Sequence, residues 1–396
     1  MSTPAINASS HEEPVKRNDK PIVNQADLQR FRTNNFDLIR LAAALQVVFL
    51  HTSKHLGLIH PESVLSSIID RFPGVPIFFF VSGFLISRSF ETNPGLGDYS
   101  RNRAFRIFPA LWVCFMLSVL SVWLTGYFST VDVPIPRFLA WTAAQLSFLQ
   151  IYNPEFMRGY GTGVLNGSLW TITVELQFYF IIPCLYLLLR RLSRKGFDAV
   201  LIPLIVVLAM GHQYFYRWSG IDFSPGATHN LFTRAYGVSF VPWVYMFLIG
   251  TWAQRNFEWV IRLVKGRVLL LLVGYACMSF LMVDLLGLSL PGQRMDPLSY
   301  LVLAMLTLSV AYSAPTLANR ILRRNDISYG VYIYHMPVVN LFIYVGFVGT
   351  FGYQILVFLI TIVLATLSWL FIERPAMKLK RHALNPLRTS RRKAPG

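Results

Sequence analysis

Charge is scarce in this sequence. Only 14% of its 396 residues are Asp, Glu, Lys or Arg, 54% are hydrophobic, and the mean hydropathy is +0.47. A water-soluble globular domain carries about 25% charged residues, so that class is excluded. Negative charge is scarcer still, with 19 acidic against 36 basic residues and a net charge of +17. In a soluble chain that balance would point to nucleic acid. Here the basic residues fall between long apolar stretches instead of on one polar face, which is the pattern of membrane topology. Cysteine is nearly absent: Cys114, Cys184 and Cys277 lie inside apolar runs with no CxxC pair and no ligand-like spacing. That excludes a disulfide framework, and no metal site is expected. The polar N-terminus also lacks an apolar h-region, so it reads as a disordered tail and not as a cleaved signal peptide.

What the sequence has is length of apolar run. Stretches of about 17 to 22 residues, enough to cross a bilayer, alternate with short polar connections. The expected fold is an all-α integral membrane protein with ten transmembrane helices, at 36–56, 73–88, 107–126, 169–189, 198–216, 235–253, 268–286, 298–314, 328–348 and 353–372. An eleventh segment, 138–149, is short and carries Gln145 and Gln150, so it is expected to lie in the interface or pack re-entrantly. With both termini placed in the cytoplasm, 28 Lys and Arg fall on the cytoplasmic side and 7 on the other, the asymmetry that the positive-inside rule requires. The chain thus divides into a cytoplasmic tail (1–35), a membrane domain (36–372) and a basic cytoplasmic tail (373–396), which sets orientation and can touch anionic lipid. No internal repeat of the inverted-repeat transporter kind is visible.

Within these spans, a few polar residues stand out against the hydrocarbon. The first span contains "RLAAALQVVFLH", with Arg40 about one turn in from the cytoplasmic end and His51 about 16 Å further along. Eleven steps of about 100° bring both side chains to the same face. Asp37 is expected to pair with Arg40. Arg40 at this depth serves either as a snorkelling anchor or as a functional cation, whereas an imidazole deep in a span usually faces a cavity or a partner. Glu175, in "SLWTITVELQFYFIIP", lies at a depth near that of His51 and is expected to meet it as orienting carboxylate, with Gln177 close by. In "YSRNRAFRIFP", Arg101, Arg103 and Arg106 gather around the start of the third span, where arginines at a helix N-terminus clamp anions. Ser82-Gly83, in the phenylalanine-rich second span, suits either close helix packing or the lining of a narrow passage.

Six blocks in order, "FDLIRLAAALQVVFLH", "FFFVSGFLISRSF", "RNRAFRIFP", "LWTITVELQFYFIIP", "ISYGVYIYHMPVV" and "FIERPAMKL", resemble the successive blocks of the membrane-bound acyltransferase-3 family over about 36 to 380. The resemblance implies transfer of an acyl group, most often acetyl from cytoplasmic acyl-CoA, to a carbohydrate hydroxyl, in a multi-pass protein of the plasma membrane, expected to be a bacterial inner membrane. It carries the family's basic-residue, ten-spacer, histidine motif onto Arg40 and His51, its paired arginines onto Arg103 and Arg106 (Arg101 being an alternative first member), its glutamate onto Glu175, and its Ser-Tyr and His-Pro elements onto Ser328, Tyr329 and His335. Thr171 and Thr173 stand where the family commonly has serine, which keeps the hydroxyls. Many relatives carry an additional extracytoplasmic hydrolase-like domain; this chain, ending at 396, is expected to act with its membrane domain alone or with a separate partner.

These residues fit that chemistry. A thioester is already activated, so the enzyme must remove the acceptor hydroxyl's proton and stabilise the developing oxyanion. The expectation is that Arg40, Arg103 and Arg106 hold the phosphates of acyl-CoA, that His51 acts as base or as covalent acyl carrier, and that Glu175 orients it. Asp37, Ser82, Ser328, Tyr329 and His335 are expected around the substrate, His335 nearer the inner half of the membrane as a wall residue. The partners expected are acyl-CoA, a carbohydrate or glycolipid acceptor and membrane lipid, with no nucleic acid. A secondary transporter or flippase is the competing reading, since intramembrane His, Glu and Arg would serve it too.

Overall fold

In the computed structural model, the residues described are 31, 33–58, 64–219, 231–288, 295–323 and 325–383. The tails at 1–30 and 384–396, on which part of the charge argument rests, lie outside them. The described residues form helices and no strand, as hydrocarbon demands: only a helix satisfies every backbone N–H and C=O within one segment.

In chain order the helices are α1 (Phe36–His55), α2 (Val64–Asp70), α3 (Gly74–Thr92), α4 (Leu96–Leu124), α5 (Ile135–Leu146), α6 (Trp170–Leu189), α7 (Arg194–Ser219), α8 (Leu231–Gly237), α9 (Val244–Arg255), α10 (Phe257–Val264), α11 (Val268–Ser279), α12 (Pro297–Ser313), α13 (Leu317–Leu322), α14 (Ser328–Tyr344), α15 (Phe351–Ser368) and α16 (Arg374–Ala383). Among the described residues, seven helical runs are long and apolar enough to cross a membrane: Phe36–His55, Ser67–Thr92, Leu96–Leu124, Gly167–Leu189, Arg194–Trp218, Val268–Leu285 and Phe351–Leu379. The other three expected spans are helices too, but shorter: α9 has 12 residues, α12 and α14 have 17 each. Burial accounts for two of them. Most of α9 and α14 is enclosed by other helices, and a helix with protein on all sides is released from the need to match the bilayer's thickness.

The centre of the bundle is aromatic. Phe79, Phe80 and Phe84 of α3 pack with Phe178 of α6 and Phe247 of α9, the last two rings stacked 4.3 Å apart. α3 and α9 approach closely enough for backbone to touch backbone. A Cβ on Gly83 would lie 2.0 Å from the carbonyl oxygen of Phe247, and one on Gly250 2.2 Å from that of Phe80. Gly83 is therefore a packing residue, the small-residue contact by which membrane helices associate. A satellite cluster of Phe115, Trp141, Phe156 and Tyr160 holds α5 against α4. Gln145 and Gln150, which marked this segment in the sequence, staple the loop after it: Gln145 Nε2 donates to the carbonyls of Gln150 and Tyr152 at 2.9 Å each.

Replacing Gly83 or Gly250 by alanine should destabilise the purified protein by about 2–3 kcal/mol, read as a drop in thermal midpoint. Alanine at Gly211 or Gly274, inside α7 and α11 where a Cβ meets nothing within 4 Å, should instead stabilise it by about 0.5–1 kcal/mol.

Candidate active site

Arg40 lies about one turn into α1, and its Nη1 donates to Asp326 Oδ2 at 2.7 Å. Arg106 of α4 donates to the same oxygen. The other oxygen, Oδ1, accepts from Ser328 Oγ at 2.5 Å and from the Ser328 backbone N–H at 3.3 Å. One carboxylate, only 9% exposed, thus receives donors from α1, α4 and the first residue of α14. A second buried carboxylate, Glu373, lies on the π-helical turn Trp369–Glu373 that follows α15 and accepts from Ser368 Oγ at 3.2 Å. The sequence reading gave Arg40 to Asp37. That pairing is corrected here: the Asp37 side chain is exposed, and Arg40 turns inward, where a buried guanidinium needs a counter-ion more than a solvated one does.

Arg103 and Arg106, expected side by side, diverge. Arg103 donates to Ser89 Oγ at 3.2 Å and lies over the rings of Tyr99 and Tyr179 at 5.9 and 5.6 Å. It meets no carboxylate within ion-pair distance among the described residues, so its charge is available to a ligand. Arg101 pairs with Asp98 at 2.6 Å in a half-exposed contact one turn apart.

Beyond Tyr179 the polar chain continues inward. Tyr179 Oη donates to Glu175 Oε1 at 2.8 Å, and Ser82 Oγ donates to the same oxygen at 3.2 Å. Arg40, Ser82, Thr171, Glu175, Tyr329 and Tyr332 line a narrow cavity of about 30 Å³. Tyr329 Oη is fixed by donation to the carbonyl of Ile107 at 3.0 Å, and Thr171 Oγ1 donates to Tyr332 Oη at 2.8 Å. Four expected site residues, Arg40, Ser82, Glu175 and Tyr329, therefore share one cavity. Thr173, the other threonine in a serine position, donates to Gln150 Oε1 at 3.0 Å.

His51 does not reach Glu175. Its partner is His335, with Nδ1 of His51 2.9 Å from Nε2 of His335. The sequence reading set His335 nearer the inner half because it counted seven residues in from the cytoplasmic face. The structure corrects that depth: Asp326, two residues before α14, is level with Arg40, so α14 begins one turn inside the protein and runs parallel to α1. His51 then lies eleven positions beyond Arg40 and His335 nine beyond Asp326, which brings the rings together.

The hydrogen bonds assign the tautomers. His335 Nδ1 lies 2.7 Å from the carbonyl oxygen of Tyr332, which can only accept, so Nδ1 carries the proton. His335 Nε2 is then the acceptor, His51 Nδ1–H donates to it, and His51 Nε2 keeps its lone pair. The backbone around the pair is equally determined. Pro337 removes the N–H that would bond the carbonyl of Ile333. Asn166 Nδ2 at 2.8 Å and Cys114 Sγ at 3.3 Å donate to that carbonyl instead. On the α1 side Gln354 Nε2 donates to Thr52 Oγ1 at 2.9 Å and Ser53 Oγ at 2.7 Å, pinning the turn beside His51.

A second cavity, about 150 Å³, is lined by His51 together with Gln46, Asp70 and Trp170. It adjoins the first at Val75 and Tyr332, which line both. An acyltransferase domain family matches residues 33–372 of the chain. This chain belongs to the acyltransferase-3 family. Nodulation protein 10 of Rhizobium leguminosarum bv. viciae is 33% identical over 359 residues, covering 88% of this chain and 94% of that protein. An O-acetyl transferase of Shigella phage Sf6 is 25% identical over 358 residues, covering 87% and 96%. No solved structure matches. The chain is thus a multi-pass membrane acyltransferase, and the transporter reading gives way to it.

Sequence reasoning missed Asp326, Tyr332 and Glu373. Asp326 left a local signal, since an aspartate two residues ahead of a serine at a helix start is a common cap. The inward turn of Glu373 depends on a π turn that no sequence pattern announced. Replacing Asp326 by asparagine should leave two guanidinium groups sharing no anion and cost on the order of 3 kcal/mol. The thermal midpoint of the purified acyltransferase measures it, and replacing the exposed Asp37 by asparagine should leave that midpoint within about 0.5 kcal/mol of the original.

Proposed function

We propose that this acyltransferase moves an acyl group, acetyl in the simplest case, from cytoplasmic acyl-CoA to a hydroxyl of a carbohydrate, with His51 as general base. The observation that carries the proposal is the meeting of two cavities at Val75 and Tyr332, one with cationic and carboxylate groups at its far end and the other containing the unprotonated Nε2 of His51. In this reading both chain ends face the cytoplasm, ten helices span the membrane, and donor and acceptor arrive from opposite sides. The O-acetyl transferase relative supports the transferred group.

Arg103 attracts the donor phosphates, with Arg40 and Arg106 contributing field while anchored to Asp326. The pantetheine arm passes Ser82, Glu175 and Tyr329 and delivers the thioester near Val75 and Tyr332. The acceptor O–H gives its proton to His51 Nε2 as its oxygen attacks the thioester carbon. The C–S bond breaks, and the leaving thiolate takes the proton back from His51, so ester and free CoA thiol are the products. His335 is a positioning residue: by accepting from His51 Nδ1 it points the lone pair of Nε2 into the cavity, as an acceptor behind a catalytic imidazole does elsewhere. Glu175, held on one oxygen by Ser82 and Tyr179, shapes the donor passage and does not orient His51.

The test is release of free CoA thiol from acetyl-CoA by the purified protein in lipid nanodiscs. His51→Ala should lower it by about 10²- to 10⁴-fold with the fold retained, and His335→Ala by at least about tenfold, because the imidazole then loses its tautomer control. An active His51→Ala variant sinks the assignment of the base. Arg103→Ala should raise KM for acetyl-CoA by about tenfold or more while changing kcat little.

A further inference from the structure

The cavity that contains His51 holds polar groups that neither the donor nor the base requires. Gln46 is fully engaged, its Oε1 accepting from the Gly74 N–H at 3.0 Å and its Nε2 donating to the carbonyl of Ile69 at 3.3 Å. Asp70, the last residue of α2, differs. It is half-buried, it lines the cavity beside His51, and no donor among the described residues bonds its carboxylate. The adjacent Arg71 does not neutralise it, since that guanidinium is committed to Asp284 at 2.9 Å and to Ser279 Oγ at 2.8 Å. Half-exposed, that carboxylate is free to bond water, and a ligand's hydroxyls can take the place of that water. Across the cavity stands Trp170, backed on one side by Trp243 with ring centroids 5.1 Å apart.

The geometry points to an acceptor subsite for one uncharged glycosyl unit, in which Asp70 accepts hydrogen bonds from hydroxyls next to the one presented to His51 and the indole of Trp170 covers a C–H face of the ring. A carboxylate suits this work because it accepts several hydroxyl hydrogens at once, and charge-assisted bonds of this kind are about twice as strong as neutral ones. The same charge selects against anions: a uronate or a phosphorylated sugar seated there would face Asp70 in a low-dielectric pocket. The inference rests on the proposed function for the role of His51 and adds to it the chemical class of the acceptor unit.

Binding in the absence of acyl-CoA tests it apart from the transfer chemistry. The nanodisc-embedded protein is titrated with the methyl glycosides of glucose, galactose, mannose and N-acetylglucosamine, and with those of glucuronic and galacturonic acid, followed by saturation-transfer NMR. At least one neutral glycoside should bind about tenfold or more tightly than either uronate. In Asp70→Asn that preference should collapse to within about threefold, and in Trp170→Leu the neutral glycoside should weaken by about tenfold. The preference is a ratio within each variant, so partial unfolding does not mimic its loss. Failure of every neutral glycoside to bind, equal binding of the uronates, or a preference that survives Asp70→Asn would overturn the subsite. Loss of the CoA-release activity with this binding intact would instead fault the proposed chemistry alone.

Discussion

Two guanidinium groups from different helices end on one carboxylate oxygen. In a protein surrounded by hydrocarbon, a cation inside the bundle has no water to fall back on, and its free energy is set by the anion it finds. Asp326 is that anion for both Arg40 and Arg106, and its second oxygen holds the start of α14 through Ser328. The contact therefore fixes the axial register of α14 against α1. Register is what the rest depends on: a slip of one residue along either helix would move a side chain by about 100° around the axis and 1.5 Å along it. His51 and His335 would then no longer meet.

The histidine pair shows the same requirement deeper in the bundle. The backbone and hydroxyl groups that flank it have partners from distant parts of the chain. The proline that follows His335 by two residues frees the Ile333 carbonyl, and Asn166 and Cys114 take it up. Gln354 closes on Thr52 and Ser53 from the other side. Such a network holds imidazoles in one orientation, because rotating either ring would orphan a buried group. Preorganisation of this kind is what a general base needs, since its lone pair must already point at the proton it will take.

The two cavities differ in electrostatic character. Near the first, Arg103 keeps an uncommitted positive charge over two tyrosine rings, while Arg40 and Arg106 share the single negative charge of Asp326. In the cavity beside His51 the polar groups are the Gln46 amide, the Asp70 carboxylate and the Tyr332 hydroxyl, with the ring of His55 6.0 Å from that of His51.

Hydropathy and residue order made the membrane class, the helices and the positions of Arg40, His51, Glu175 and His335 legible, because run length and periodicity are local properties and a polar residue in an apolar run announces itself. Ser82-Gly83 was legible as a pair but not as a division of labour, in which glycine packs on α9 and serine lines the cavity. Partners were a different matter. Asp37 lies three residues from Arg40 and looked like its counter-ion, yet the guanidinium reaches 286 residues along the chain to Asp326. Glu175 matched His51 in depth but faces a different cavity, and His335 matched only once α14 was seen to begin inside the bundle. The sequence by itself determined which groups had to be satisfied within the membrane; the tertiary structure decided which satisfied which. Pairing in a low-dielectric interior depends on the rotation and axial offset of whole helices, and those are set by packing such as the Gly83 and Gly250 contact, which no single segment encodes.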